Sequence, residues 1–253
     1  MLSVETIRFA NEYEALLAHV GQDTPADEII AVLKLPQPRA LICLNGGTAE
    51  LGETLKTQLR GLLVDGLARV AAENAITLVT GGTDAGIFSL LGEGLEKWGR
   101  QAHCLGVTPS APVTWPGRSE GETPLEPHHS HFIVVDGKDW GDETRTMYSV
   151  VQALSRDCPS IAIFAGGGDV TLREMRANVE QDREMILIAG SGRSTDAVLD
   201  IRAGAPSSDQ ALEEIASKGR IVRFEIDGAP EQFARLLGSR ISPASPNPPA
   251  ANP

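Results

Sequence analysis

The chain has 253 residues, 42% hydrophobic and 22% charged, with a formal net charge of -12. This length and apolar content suit one large domain or two small ones with a true core and exclude wholesale disorder. The acidic balance argues against a nucleic-acid partner, whose phosphates need many cationic contacts; no run approaches the ~18 apolar residues of a membrane span, so no membrane insertion is expected.

The opening stretch MLSVETIRFANEYE places acidic residues where a secretory leader needs basic ones and is followed by no leader-like apolar core, so a cytoplasmic protein is expected. Residues 1–38 read as a helical preface: a weak helical period runs from Phe9 to Val20, and Thr24, Pro25 and Glu28 signal a second helix with Ile29, Ile30 and Leu33 on its apolar face. From 39 to 241, apolar runs alternate with amphipathic helices. The runs are Ala40–Leu44, Ile76–Thr80, Cys104–Val107, Phe132–Val135, Ile161–Phe164, Met185–Ile188 and Ile221–Ile226. That alternation predicts an α/β domain, an open parallel sheet with helices on both faces. Thr108–His128, rich in Pro, Gly and Ser/Thr, is expected to be a long loop. Residues 242–253, SPASPNPPAANP, carry no charge and read as a disordered tail. Cys43, Cys104 and Cys158 are odd in number and two lie in apolar runs, which suits reduced core thiols rather than disulfides.

Four predicted strands run into glycine clusters: Asn45-Gly46-Gly47-Thr48, Thr80-Gly81-Gly82-Thr83-Asp84-Ala85-Gly86, Gly166-Gly167-Gly168-Asp169-Val170-Thr171 and Gly190-Ser191-Gly192-Arg193. In an open parallel sheet these strand ends share one edge, where ligands settle at the point at which strand order reverses. Helix starts freed by glycine offer bare N–H groups that suit phosphate. Glycine is also the easiest residue for any strand-to-helix turn, but four such loops with Ser or Thr nearby favour a nucleotide-like ligand. A P-loop, a G-x-G-x-x-G in a first βαβ unit and an in-register G-x-S-x-G are all absent. Arg193 is the leading phosphate contact, with an ion pair to Asp169 or Asp196 as its structural alternative, and Arg145 is a second cationic candidate. Trp140 either stacks on a base or anchors the loop. His128, His129 and His131 lack a completing ligand, so no metal is expected; His131 is a loop-positioning or ligand-bonding candidate. Thr171-Leu172-Arg173-Glu174 has the form of a capping box, yet Glu174 beside a bound ribose could also stabilise an oxocarbenium-like transition state.

The stretches Val79–Ile87, His129–Asp136, Ala165–Leu172 and Gly190–Arg193 resemble, in order and spacing, the SLOG superfamily, and within it the prokaryotic branch similar to the N-terminal cytosolic region of TRPM channels. The resemblance runs from about Arg39 to Asp200. It implies a Rossmann-like fold and either sensing of a nucleotide-derived small molecule such as ADP-ribose or a cyclic relative, or, as in LOG-type enzymes, cleavage of the N-glycosidic bond of nucleoside 5'-monophosphates. Against the P-G-G-x-G-T-x-x-E motif of those enzymes, Gly167, Gly168, Thr171 and Glu174 are in place, Val170 replaces a glycine, and their Arg-Lys pair has no counterpart in His128–Asp142. The sensor is therefore the preferred reading, with no cofactor, and with a homo-oligomer or a separate effector protein as its partner. The phosphoribohydrolase is the alternative, and an assembly subunit with vestigial glycine loops is a third.

Overall fold

The computed structural model describes residues 2–47 and 51–242; Thr48 and the expected tail beyond Ser242 lie outside the described residues. The chain opens with β1 (Ser3–Arg8), β2 (Glu14–Val20), α1 (Ala26–Val32) and β3 (Leu41–Gly46). A long helical segment follows, α2 (Glu53–Arg60) passing through a π-helical stretch, Gly61–Ala68, into α3 (Arg69–Asn74). Then come β4 (Thr77–Thr80), α4 (Gly86–Trp98), β5 (Cys104–Pro109), two short strands β6 (Val113–Thr114) and β7 (Thr123–Pro124), β8 (His131–Val135) and α5 (Thr144–Leu154). The last third is β9 (Ser160–Ala165), α6 (Asp169–Glu180), β10 (Glu184–Ala189), α7 (Arg193–Arg202), α8 (Gln210–Lys218), β11 (Ile221–Glu225) and α9 (Pro230–Ile241).

Nine strands form one sheet in the order β1-β2-β8-β5-β4-β3-β9-β10-β11, parallel throughout except for β1, which runs antiparallel to β2. Each of the seven predicted apolar runs forms a strand, because side chains alternating to both faces are covered by helices and both sets must be apolar. On one face, Ile42, Leu44, Leu78 and Ile163 pack with Leu62, Leu63 and Leu67 of the π-helical stretch, Leu91 of α4 and Phe233 of α9. On the other, Leu41, Cys43, Val79 and Phe164 meet Ile29 of α1, Val150 of α5, Met175 of α6, Val198 of α7 and Ile215 of α8. The result is a Rossmann-like α/β fold. Cys43 and Cys104 are buried free thiols. No helix among the described residues is long and apolar enough to cross a membrane.

The N-terminal region departs from the sequence reading. Most of the Phe9–Val20 stretch, where a helical period was expected, is the strand β2, which pairs with β1 and lies parallel beside β8, so the first 38 residues add two strands to the sheet instead of forming a helical preface. The reason is burial on two sides: Ala15 and Leu17 face a small core with Ile7, Phe9, Trp115, Leu125 and Phe132, while Ala18 and Val20 face the main core. A strand covered on both faces loses its two-residue alternation, and its apolar positions then fit a helical period by chance. Only α1 of the preface is helical. The Thr108–His128 segment is an ordered flap, pinned by Val113, Trp115 and Leu125 in that small core.

The backbones of β3 and β9 approach so closely at their ends that a Cβ on Gly46, whose φ is +142°, would fall on the Ala165 carbonyl. We expect Gly46→Ala to cost about 1–3 kcal/mol or more by overpacking, while Gly52→Ala, which would meet nothing within 4 Å, stays within about 0.5 kcal/mol; urea midpoints of the two variants check this.

Candidate functional site

Strand order reverses between β3 and β9: from β3 the chain progresses outward through β4 and β5, and from β9 it progresses the other way through β10 and β11. A crevice must open there at the carboxyl ends of the strands. It is lined by Gly46, Gly81, Thr83, Phe88, Trp140, Glu143, Val170, Thr171 and Glu174 and is narrow, with about 90 Å³ of room inside, less than a typical preformed small-molecule pocket.

The four glycine loops do different jobs. The loop after β10 is internally closed: the Asp196 carboxylate accepts from the Gly190 and Gly192 amides, each at 2.8 Å. Ser191 Oγ donates to the Ile188 carbonyl and accepts from the Gly166 amide at 2.8 Å. The first amides of α7 are spent as well, Thr195 on Gly166 O (3.2 Å) and Ser194 on Gly167 O (3.4 Å). Gly190, Ser191 and Gly192 therefore hold the neighbouring loop in shape. That neighbour, Gly166–Gly168, leads into α6, whose cap residue Gly168 offers no side chain to the orphan amides of the first turn. Gly167, with φ +90°, turns so tightly that a Cβ would strike the Thr171 hydroxyl. Arg193 adds charge at this point. Its backbone is left-handed, φ 54°, and its guanidinium lies over Gly168, 3.0 Å from where a Cβ would stand. The ion pair considered for it with Asp169 or Asp196 does not form. An open helix start beside a cation with no carboxylate partner among the described residues is a site for an anion.

The capping-box reading of Thr171–Glu174 does not hold, because α6 begins at Asp169 and Thr171 is already inside it. Glu174 is thereby free to line the crevice. It is 8% exposed; burial first, then the charge of Glu143, pushes its carboxyl up to about 8. Glu143, 7% exposed at the start of α5, accepts from the Gly141 amide at 2.8 Å. Burial raises it to about 7, against the lowering pull of that amide and of Arg173. Arg173 packs against Gly141, and Trp140, 44% exposed, stands at the mouth. Beneath the floor, Asn45 Oδ1 accepts from Tyr148 Oη at 3.3 Å, and Asn178 Nδ2 donates to the same phenol at 2.9 Å.

The far rim is held by a buried strut. His129 bridges the Glu126 carboxylate (2.6 Å) and the Thr80 hydroxyl (2.7 Å), and Thr80 Oγ1 accepts from the Gly82 amide at 2.9 Å. Burial alone would raise the Glu126 carboxyl, but hydrogen bonds from His128 and His129 hold it down at about 2.

Of the predicted residues, Gly46, Gly81, Thr83, Thr171 and Glu174 line the crevice; Thr80 and Gly82 support its rim, Gly47 donates to Ala165 O at 3.0 Å, and Gly86 opens α4. Two lie elsewhere. Arg145 sits on the outer side of α5, 3.4 Å from Asp23 and largely exposed. His131 begins β8, at the opposite edge of the sheet, where burial and then His103 lower it to about 4. Phe88, Glu143 and Arg173 escaped the sequence reading: a Phe in a helix reads as core, Glu143 as a helix-start acid, and Arg173 as a surface cation.

A family model described as "SLOG in TRPM, prokaryote" matches residues 39–235. Transient receptor potential cation channel subfamily M member 2 of Mus musculus is 24% identical over 241 residues, covering 79% of this chain and 16% of the channel. Member 7 of Homo sapiens is 23% identical over 226 residues, covering 74% of this chain and 12% of that one. The chain thus spans less than a fifth of the relatives it matches. Among solved structures, an X-ray structure of the structural-genomics target TM1055 superposes with a TM-score of 0.52 at 17% identity, over 79% of this chain and 99% of that one.

The two raised carboxyls bind protons in the fold that the unfolded chain releases near pH 4.5. Their contribution is fully present below pH 4.5 and is lost as pH rises through about 7 and 8. We expect Glu174→Gln to raise Tm at pH 9 while leaving it near wild type at pH 5; relief of ~2 kcal/mol corresponds to about 4–8 °C in a chain of this size, read by calorimetry at the two pH values.

Proposed function

Because this chain belongs to the SLOG-in-TRPM family, prokaryotic branch, we propose that it is a binding domain for a nucleotide-derived small molecule of the ADP-ribose type, acting as a sensor. The observation that carries this reading is the pairing of the uncapped α6 N-terminus with the Arg193 guanidinium over Gly168, next to a crevice with aromatic and carboxyl walls that Val170 and Thr171 of the same helix start also line. The first suits a phosphate, and the narrow second offers polar and aromatic walls to a sugar and a planar ring reaching in from it. Arg193→Ala is expected to weaken ADP-ribose binding by about 1.5–3 kcal/mol, the range for hydrogen bonds to charged groups, and Arg145→Ala to leave it unchanged. Unchanged affinity in Arg193→Ala by titration calorimetry contradicts the proposed phosphate site.

One observation favours a second reading, the N-glycoside hydrolase. Glu174 is a buried carboxyl raised to about 8, a form in which an acid can serve proton transfer near neutral pH. Val170, however, projects into the crevice where the enzymatic relatives keep glycine, and misplacement by ~1 Å can cost about a hundredfold in rate. Chromatographic assay of free base from AMP, GMP, CMP and UMP is expected to show no enzyme-like turnover; turnover abolished by Glu174→Ala selects the hydrolase instead.

A further inference from the structure

The crevice buries two carboxyl groups that form no ion pair among the described residues, Arg173 acting on Glu143 only from beyond salt-bridge distance. Glu174 is 8% exposed, lines the crevice, and its carboxylate meets no hydrogen-bond donor among the described residues, so only burial and Glu143 act on it. Glu143 accepts the Gly141 amide at 2.8 Å, and its own amide and Arg173 also pull it down, yet burial still outweighs all three. Asn45 nearby is fully buried, and its Nδ2 is a buried polar atom without a partner among the described residues. Buried unpaired carboxyls are costly and persist where a ligand completes them. Phe88 and Trp140 form the apolar part of the same lining, and aromatic faces attract an organic cation, more strongly when it is desolvated.

Building on the binding-domain reading, we propose that this part of the crevice selects a ligand bearing a delocalised organic cation, such as a pyridinium ring, with Glu143 and Glu174 as its counter-ions. The ligand is then a zwitterion, with its phosphate at the α6 start and Arg193 and its cationic ring between the carboxylates and the aromatic walls. A divalent metal fits less well, because no group of three His, Cys, Asp or Glu side chains converges among the described residues, and hard cations want oxygen ligands rather than aromatic walls. A neutral sugar would satisfy hydrogen bonds but would not draw the pair into its ionised form.

Binding of a fixed cation draws a proton off the pair, so affinity rises with pH as the pair ionises. Glu143 is faced by Asp142 on its own segment and by Arg173 of α6. Glu174 is faced by Glu143, Tyr148 of α5 and Cys43 of β3, and burial pushes both the phenol and the thiol up so that they stay neutral throughout. Of the groups facing this part of the crevice, the carboxyl pair is therefore the one that titrates near neutral pH.

The test compares nicotinamide mononucleotide with its dihydro form, which has nearly the same shape but an uncharged ring, by titration calorimetry on the full chain, with ADP-ribose as the reference ligand and magnesium chloride alone as a further arm. The oxidised form is expected to bind about tenfold tighter or more at pH 8. The gap should widen from pH 6 to pH 9 and shrink to less than about threefold in Glu143→Gln and Glu174→Gln, with ADP-ribose still bound by both variants. Equal binding of the two forms while ADP-ribose binds overturns the cation subsite and leaves the binding-domain reading standing. Saturable magnesium binding lost in both variants overturns it in favour of a metal site. Failure of every nucleotide to bind overturns both readings.

Discussion

The close approach of β3 and β9 at Gly46 and Ala165 is the constraint on which the site depends. Two parallel strands from opposite halves of the sheet lie side by side there, and their following helices leave in opposite directions, so no connection covers the gap between them. The sheet's apolar runs, its helices and its glycine turns all serve to hold that junction. The glycine loops are not interchangeable: the one after β10 closes on Asp196 and braces the one after β9, and the one after β4 is pinned from outside by the Thr80–His129–Glu126 strut. What stays open is the start of α6, with its uncapped amides and Arg193 beside them.

Electrostatically the crevice divides in two. At the α6 start it borders the positive end of the helix dipole, with Arg193 over Gly168 beyond its lining. Toward β4 and the β8–α5 segment it is acidic and aromatic, through Glu143, Glu174, Phe88 and Trp140. A protein with a net charge of -12 that leaves a cation beside bare amides has arranged a local field against its global one, which suits a small anion and not a polyanion. The acidic end is kept near the point of ionisation by burial, so occupancy and protonation are linked there.

Most of the sheet was legible in the sequence because strands buried on both faces read as unbroken apolar runs, and Ile42, Val79, Ile163 and Leu187 announce themselves that way. The same property hid β2, whose Ala15, Leu17, Ala18 and Val20 serve two cores and mimic a helical stripe. At the site, the glycines were readable because tight turns and close backbone approaches demand that residue type. Glu143 was not, since an acid at a helix start is common and only tertiary burial makes it unusual. The capping-box form of Thr171–Glu174 misled for a related reason: a local pattern scores equally well when the helix starts three residues earlier.

The central claim is that phosphate binds at the α6 start and not at the similar-looking glycine loop after β10. Backbone amide shifts recorded while ADP-ribose is added test this most directly. The account predicts large changes at Gly167, Gly168, Asp169 and Val170 and small ones at Gly190 and Gly192. Changes centred on Gly190–Gly192, or on His131 at the opposite edge of the sheet, would contradict it.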